Sequence, residues 1–442
     1  ADGEKLRSWT SSGQDLQGKD GALFQFLNTS KKSVIGSMDD EHVDALLKGA
    51  DLLVETSGGE MNAAALCERY PGLVVLSISD YGLGGPLTGT PAADLTVQAH
   101  SGAISVRGLQ SQPPIMCGGR ITEWIGGTFA AVAGLAAARR ARASGQGEHV
   151  DFSLCEVMNI GSTTYLDLMD HMNGRPEPLG GPRSVELPSI EPTKDGWVGF
   201  NTNTNQQFTD FLLMIERPDL IAETDWAIMG TRMAKMDEWN EIVRAWTTQH
   251  TTAEVVERAS LLRIPVAPVN TGKTVFDHVH LKERGVFKKN PTGGFLQPRP
   301  PYLLDGEGPR PFEAVPELGE HQDSIESRKR PQPGIAPAVG QHPDLPLAGI
   351  RVIDTTAWWA GPSACQMLAY LGADVVKVEA IQRPDGMRMA GGIYISEPSW
   401  WERSAITLAA NTNKRGITLN LTEPAGLDLC KKLIAECDVS IE

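Results

Sequence analysis

The chain has 442 residues, with 40 Lys and Arg against 55 Asp and Glu, a formal net charge of −15. At roughly 150 residues per domain, that length predicts two or three domains or one large one. The acidic balance excludes nucleic acid as the main partner, because phosphate binding needs a basic surface, and a hydrophobic share of 41% excludes a disordered or collagen-like chain.

Six cysteines (67, 117, 155, 365, 430 and 437) stand apart, without a C-x-x-C pair or zinc spacing. They are expected as reduced thiols in a cytoplasmic protein. His278-Val-His280 has no third ligand at a readable place, so no metal is expected. No run approaches the roughly 18 uninterrupted apolar residues of a membrane span, so no membrane partner is expected. The first residues, Ala-Asp-Gly-Glu-Lys, lack the apolar stretch of a signal peptide and a starting methionine.

In chain order, Glu41 to Val54 reads as an amphipathic helix leading into the apolar run Asp51–Glu55. Leu73–Ile78 is short, continuous and β-branched, which predicts a buried strand. Glycines and prolines make 79–91 a loop. Gly126–Ala143 is an alanine-rich helix that closes on arginines, as its dipole favours. His149–Ser153 follows as a strand, 155–173 as a helix, and Thr193–Phe200 as a turn into a strand. Helical patterns fill 205–262, and 291–345 is dense in Pro and Gly, an irregular segment and then a linker. Beyond it, Leu347–Asp354, Gly361–Leu371 and Gly372–Glu379 read as strand, helix and strand, the opening of a doubly wound parallel α/β domain.

The two ends of the chain resemble each other. Leu27-Asn-Thr-Ser-Lys-Lys-Ser33 parallels Ala410-Asn-Thr-Asn-Lys-Arg-Gly416, and Ala50-Asp-Leu-Leu-Val-Glu55 parallels Cys437-Asp-Val-Ser-Ile-Glu442. The spacings are 383 (410 − 27) and 387 (437 − 50) residues. Asp2-Gly3 with Arg7 likewise parallels Asp385-Gly386 with Arg388. Three matches in order predict a two-copy polypeptide of which this chain is a central part. The expected division is 1–320 for a first copy lacking its opening strand–helix–strand, 321–345 for a linker and 346–442 for the start of a second copy.

Both copies resemble the class III CoA-transferases, the family of formyl-CoA transferase, carnitine CoA-transferase and α-methylacyl-CoA racemase. The later copy carries Pro346-Leu-Ala-Gly-Ile-Arg-Val-Ile-Asp354, Ala360-Gly-Pro362, Leu371–Glu379 and Asn411–Arg415. The earlier copy carries Ser77-Ile-Ser with Tyr81-Gly82, then Asp94–Gly102, Gly145–Leu154 and Ile264–Asn270. The resemblance implies a Rossmann-like doubly wound large domain plus a small α+β domain, in a fused, interlocked pseudodimer. It implies transfer of CoA between an acyl-CoA and a carboxylic acid, with acyl-CoA as substrate and neither metal nor redox cofactor. The implied partners are those small molecules, the rest of the same polypeptide and a second copy of the chain.

The family nucleophile is an aspartate that attacks the thioester. In Gly118-Gly-Arg-Ile-Thr-Glu-Trp-Ile-Gly-Gly127 its position is held by Glu123, one methylene longer. Glu123 is the catalytic candidate; the other reading is a supporting, non-catalytic copy. A racemase would need a histidine before Asp94, where Ala93 stands, and His100 reads as structural. For CoA, the resemblance points to the loop Trp358, Trp359 and Ala360, and to Arg388, Lys414 and Arg415 as phosphate partners, with Lys31 and Lys32 as first-copy equivalents.

Overall fold

A computed structural model describes residues 3–105, 107–108, 112–162, 187–202, 204–308, 310–324, 328, 345–389 and 398–442. The chain divides into two compact units, Ala1–Ser37 with Pro182–Glu326 and Met38–Gly181 with Ser327–Glu442. The stretch 321–345 lies largely outside the described residues.

Parallel strands β1 (Leu52–Glu55), β2 (Val74–Ser79) and β3 (His149–Ser153) form a sheet in that order. Leu52 faces Val74 and Ser79 faces Ser153. The middle strand is covered on both faces, which is why its sequence reads as a continuous apolar run; Val74 and Val75 are wholly buried. The helix Ile121–Ser144 crosses this sheet. Ala137 and Ala141 pack on Val74, and a Cβ on Gly134 would stand 3.2 Å from methyls of Leu52 and Leu76. Among the described residues this helix alone is long and apolar enough to span a bilayer, and here its small residues are the surface on which the sheet rests.

The other unit holds the antiparallel sheet β4 (Ile190–Pro192), β5 (Trp197–Phe200) and β6 (Val266–Pro268). Helices over 205–261 enclose a core of Trp239, Phe211, Phe208 and Trp226. A hairpin follows, β7 (Phe287–Lys289) with β8 (Leu296–Pro298). Part of it falls where the sequence reads as irregular. Strands of three residues beside prolines carry no period, and the turn depends on Asn290 instead. Its Oδ1 accepts from the Thr292 and Gly293 N–H groups, and its amide donates to Gln297.

The last sheet again belongs to the unit of Met38–Gly181 and Ser327–Glu442. Parallel strands β9 (Arg351–Asp354), β10 (Asp374–Glu379), β11 (Arg415–Thr418) and β12 (Val439–Ile441) lie in the order β11-β10-β9-β12. Counting from β9, that is the 3-2-1-4 order of a doubly wound fold, with its crevice at the carboxyl ends of β9 and β12. The expected strand over 347–354 is shorter, because Leu347–Ile350 turns through Gly349 at φ +81. The helix expected over 155–173 is Leu154–Gly161 and ends at Ser162, whose backbone is extended; 163–173 lie outside the described residues.

Candidate active site

A cleft of about 610 Å³ opens at the carboxyl ends of β1 and β2, between Thr56–Gly58, Ser79–Gly82 and the first turns of the helix Ile121–Ser144. That is where a parallel sheet presents loops to a ligand. Glu123 lines it from the third position of the helix, where the aligned peptide dipoles favour a negative charge. Its carboxylate is gripped by the Arg120 guanidinium, with Nη2 2.6 Å from Oε1 and Nε on Oε2. The hydrogen bonds to Glu123 raise the Arg120 pKa above its ordinary value. Arg120 occupies the left-handed region (φ 58), after Gly119 at φ 77, so the chain enters the helix through a tight turn.

The turn is held from behind. Gln98, wholly buried, exchanges two hydrogen bonds with the backbone of Cys117 at 2.9 and 3.0 Å. Asp94 accepts from Gln98 at 3.0 Å and from the Thr122 hydroxyl. Asp94 thus fixes the residue beside Glu123. His100 meets the Tyr81 ring edge-on at 5.3 Å, a packing contact.

A second carboxyl shares the cleft. Asp80 follows β2 directly and lines the same wall as Glu123. Although the residue is exposed overall, partial burial of its carboxyl, and then the charge of Glu123, push its pKa up. Sequence reading passed over Asp80, Gln98 and Arg120. The one available signal was position, since Asp80 is the first residue beyond a buried parallel strand.

The residues expected to meet CoA lie around β9 and β10. Trp358 has φ 64 and is 47% exposed; Trp359 is 40% exposed, and Ala360 opens the helix Ala360–Tyr370. The Trp358 N–H donates to Asp385 at 2.9 Å, and its ring lies so close to Gly386 that a Cβ there would come within 2.3 Å. Arg388 lies behind this loop in a bidentate pair with Glu379 (2.7 and 2.8 Å) and a further bond to Glu402 at 2.8 Å. Glu379 thereby sits below the usual carboxylate range, the bonds from Arg388 and the Asp385 N–H outweighing the opposing effect of burial.

The Lys414 side chain is 2% exposed, and its three N–H donors go to Asp354 (2.9 Å), the Pro362 carbonyl (2.8 Å) and Asn411 (3.0 Å). Burial lowers its pKa despite the carboxylate. Burial raises Asp354, but bonds from Thr356 and Lys414 hold it below the ordinary carboxylate range. Lys377 links Asp354 to Asp385, at 3.9 and 3.4 Å. Lys414 and Arg388 still border a cleft of about 290 Å³, but as groups already paired. Arg415 is not brought to them. It clasps Asp374, the first residue of β10, at the amino end of the sheet.

Comparison with known proteins identifies the family. The family model for CoA-transferase family III matches residues 1–322 and 347–442. The chain belongs to CoA-transferase family III. A Mycobacterium tuberculosis protein named Probable CoA-transferase is 25% identical over 442 residues, covering 94% of this chain and 53% of the relative. The chain therefore spans about half the length of that relative. A succinate–glutarate CoA-transferase of Agrobacterium fabrum is 23% identical over 348 residues, covering 73% of this chain and 85% of the relative. Among solved structures, a CAIB/BAIF family protein from Brucella suis superimposes with a TM-score of 0.60 at 21% identity, covering 72% of this chain and 86% of that one. This CoA-transferase family III chain thus shares its mixed α/β fold with solved members.

Proposed function

We propose that this chain moves CoA between an acyl-CoA and a carboxylic acid, with Glu123 as the attacking carboxylate. One observation carries the reading: Glu123 stands at the amino end of a 24-residue helix and lines a cleft at the carboxyl ends of two parallel strands. A Glu123 oxygen would attack the thioester carbon, the C–S bond would break, and CoA thiolate would leave a mixed anhydride. The thiolate then attacks the Glu123 carbonyl of that anhydride and releases the donor acid, giving an enzyme–CoA thioester. The acceptor carboxylate attacks that thioester and frees the thiolate. Thiolate attack on the acceptor's acyl carbon yields the new acyl-CoA and restores Glu123.

In the same reading, Trp358, Trp359 and Ala360 form the CoA-contacting loop of the second copy, and Arg388 and Lys414, which border one cleft, serve as its phosphate partners. Arg415 belongs to this group only by sequence position, since it faces the other end of the sheet. The division into copies at 1–320 and 346–442 around a linker at 321–345, an interlocked pseudodimer with the rest of the polypeptide or a second chain, and a cytoplasmic setting without metal or redox cofactor complete the proposal.

One observation favours a second reading, a supporting copy: the Arg120 clamp leaves Glu123 paired rather than free. Incubation with a panel of short acyl-CoAs, followed by mass spectrometry of peptides, separates the two. A CoA adduct on the peptide holding Glu123, abolished by Glu123→Gln together with turnover, is the expected result. Unchanged turnover in Glu123→Gln would give the supporting reading the lead.

A further inference from the structure

We propose that a basic cleft beside the hairpin β7–β8 is a binding site for a small molecule bearing two or more phosphoryl groups. The cleft measures about 640 Å³ and lies wholly within the unit of Ala1–Ser37 and Pro182–Glu326. Arg284, Lys288, Lys289, Arg299 and Arg310 line it, and none of its eleven lining residues is acidic. With 40 basic residues in 442, eleven residues of this chain would carry about one (11 × 40/442), so five is a marked local reversal of a net charge of −15.

The cations are also unanswered. Among the described residues, the structure gives none of the five an ion pair with a carboxylate. Arg299 is 8% exposed, and its guanidinium donates only to carbonyls, Pro300 at 2.7 Å and Arg284 at 3.2 Å. A buried guanidinium ordinarily has an anionic partner, because burial of an unpaired charge is costly. It is held in place by its own backbone, whose N–H donates to the Val286 carbonyl at 2.8 Å. Five like charges around one hollow repel one another until an anion enters. A single carboxylate would neutralise one of them, whereas linked phosphoryl groups bring several charges and match arginine forks in pairs. Two further features suit an organic phosphate. Gly306 and Gly308 leave the backbone open to close approach, and Leu303 and Phe312 offer an apolar wall. The phosphates can come from the acyl-CoA of the proposed reaction or from a separate metabolite; the chemistry that recognises them is shared.

The test is titration calorimetry of the full-length protein with inorganic pyrophosphate. Saturable binding at one site is expected, weakened at least about tenfold in the doubly neutralised Lys288→Gln/Arg310→Gln variant. Both side chains are exposed, so the fold is retained. The control is Lys431→Gln/Lys432→Gln, on the exposed face of another helix, which is expected to bind as the parent does. Glu123→Gln is also expected to bind pyrophosphate unchanged, which keeps this outcome separate from the fate of the transferase reading. Displacement of pyrophosphate by CoA would assign the site to the substrate's own phosphates, and failure to displace it would assign it to a separate ligand. Absence of saturable binding, or equal loss in the control, would overturn the proposal.

Discussion

Lys31 and Lys414 occupy matching places in two similar stretches, Leu27–Ser33 and Ala410–Gly416, and each donates to the asparagine three residues before it at 3.0 Å. There the likeness ends. Lys31 is exposed, whereas the side chain of Lys414 is almost wholly buried and adds bonds to Asp354 and the Pro362 carbonyl. Similar short sequences make the same local turn twice, but only around Lys414 do β9 and the helix Ala360–Tyr370 enclose it. Motif dictates the local bond; surroundings decide whether it becomes part of a core. The sheet ends differ in the same way. That of β9 is filled by paired charges, while that of β2 leaves room in which Asp80 and Glu123 share a cleft.

Breaking the buried end gives the largest expected effect. Asp354→Ala leaves Lys414 and Lys377 without their shared carboxylate and is expected to cost about 3–5 kcal/mol in urea unfolding. Lys31→Met, its counterpart on the exposed side, is expected within about 0.5 kcal/mol of the parent. If both substitutions cost alike, the contrast between the two lysines fails.

Next comes Asp94→Ala, which strips a partner from Gln98 and Thr122. A loss of about 1–3 kcal/mol is expected, together with slower formation of any adduct on Glu123, read by mass spectrometry at early times. Gly386→Ala sharpens the other side, since its Cβ would meet the Trp358 ring. A cost of about 1–3 kcal/mol and a shift in tryptophan fluorescence are expected.

The smallest effect is a difference of sign. Asp80 lies above its ordinary value of 3.8, so its charge opposes folding at neutral pH, an opposition relieved as pH falls through the folded value. Asp80→Asn is expected to stabilise at pH 7 by less than about 1 kcal/mol, given solvent screening, and the gain shrinks on acidification. Asp354 lies below 3.8, so its contribution is complete above that pH and drains away only below it. Unfolding midpoints measured from pH 7 to 3 for Asp80→Asn and Asp354→Asn should therefore diverge from the parent in opposite directions at neutral pH.

Part of the fold is legible because β2 and β10 are buried on both faces and helices such as Met236–Thr247 carry a period. Leu73–Ile78 and Gly372–Glu379 announce themselves by β-branched runs, and Gly126–Ala143 by alanine. Glu123 could be found by its place in a motif. What the sequence hides is pairing across distance. Nothing local says that Lys414 spends its donors on residues up to 60 positions away, or that adjacent Lys414 and Arg415 serve opposite ends of one sheet. Asp80 is hidden because its environment is made by a helix that begins 41 residues later (121 − 80). The hairpin β7–β8 escaped because its strands are too short to show alternation.

The charges packed beneath Trp358 also bear on how the protein melts. The cost of stripping water from ions falls as temperature rises, while hydrophobic stabilisation per unit area levels off. The carboxyl end of β9 therefore gains in relative strength on heating. The antiparallel strands β4, β6, β7 and β8, three residues each and partly exposed, have a smaller share of such charges: among the described residues only Glu191 of β4, paired with Arg244, is a buried ion on them. Heat is expected to loosen that unit first, while the loop that carries the tryptophans keeps its shape.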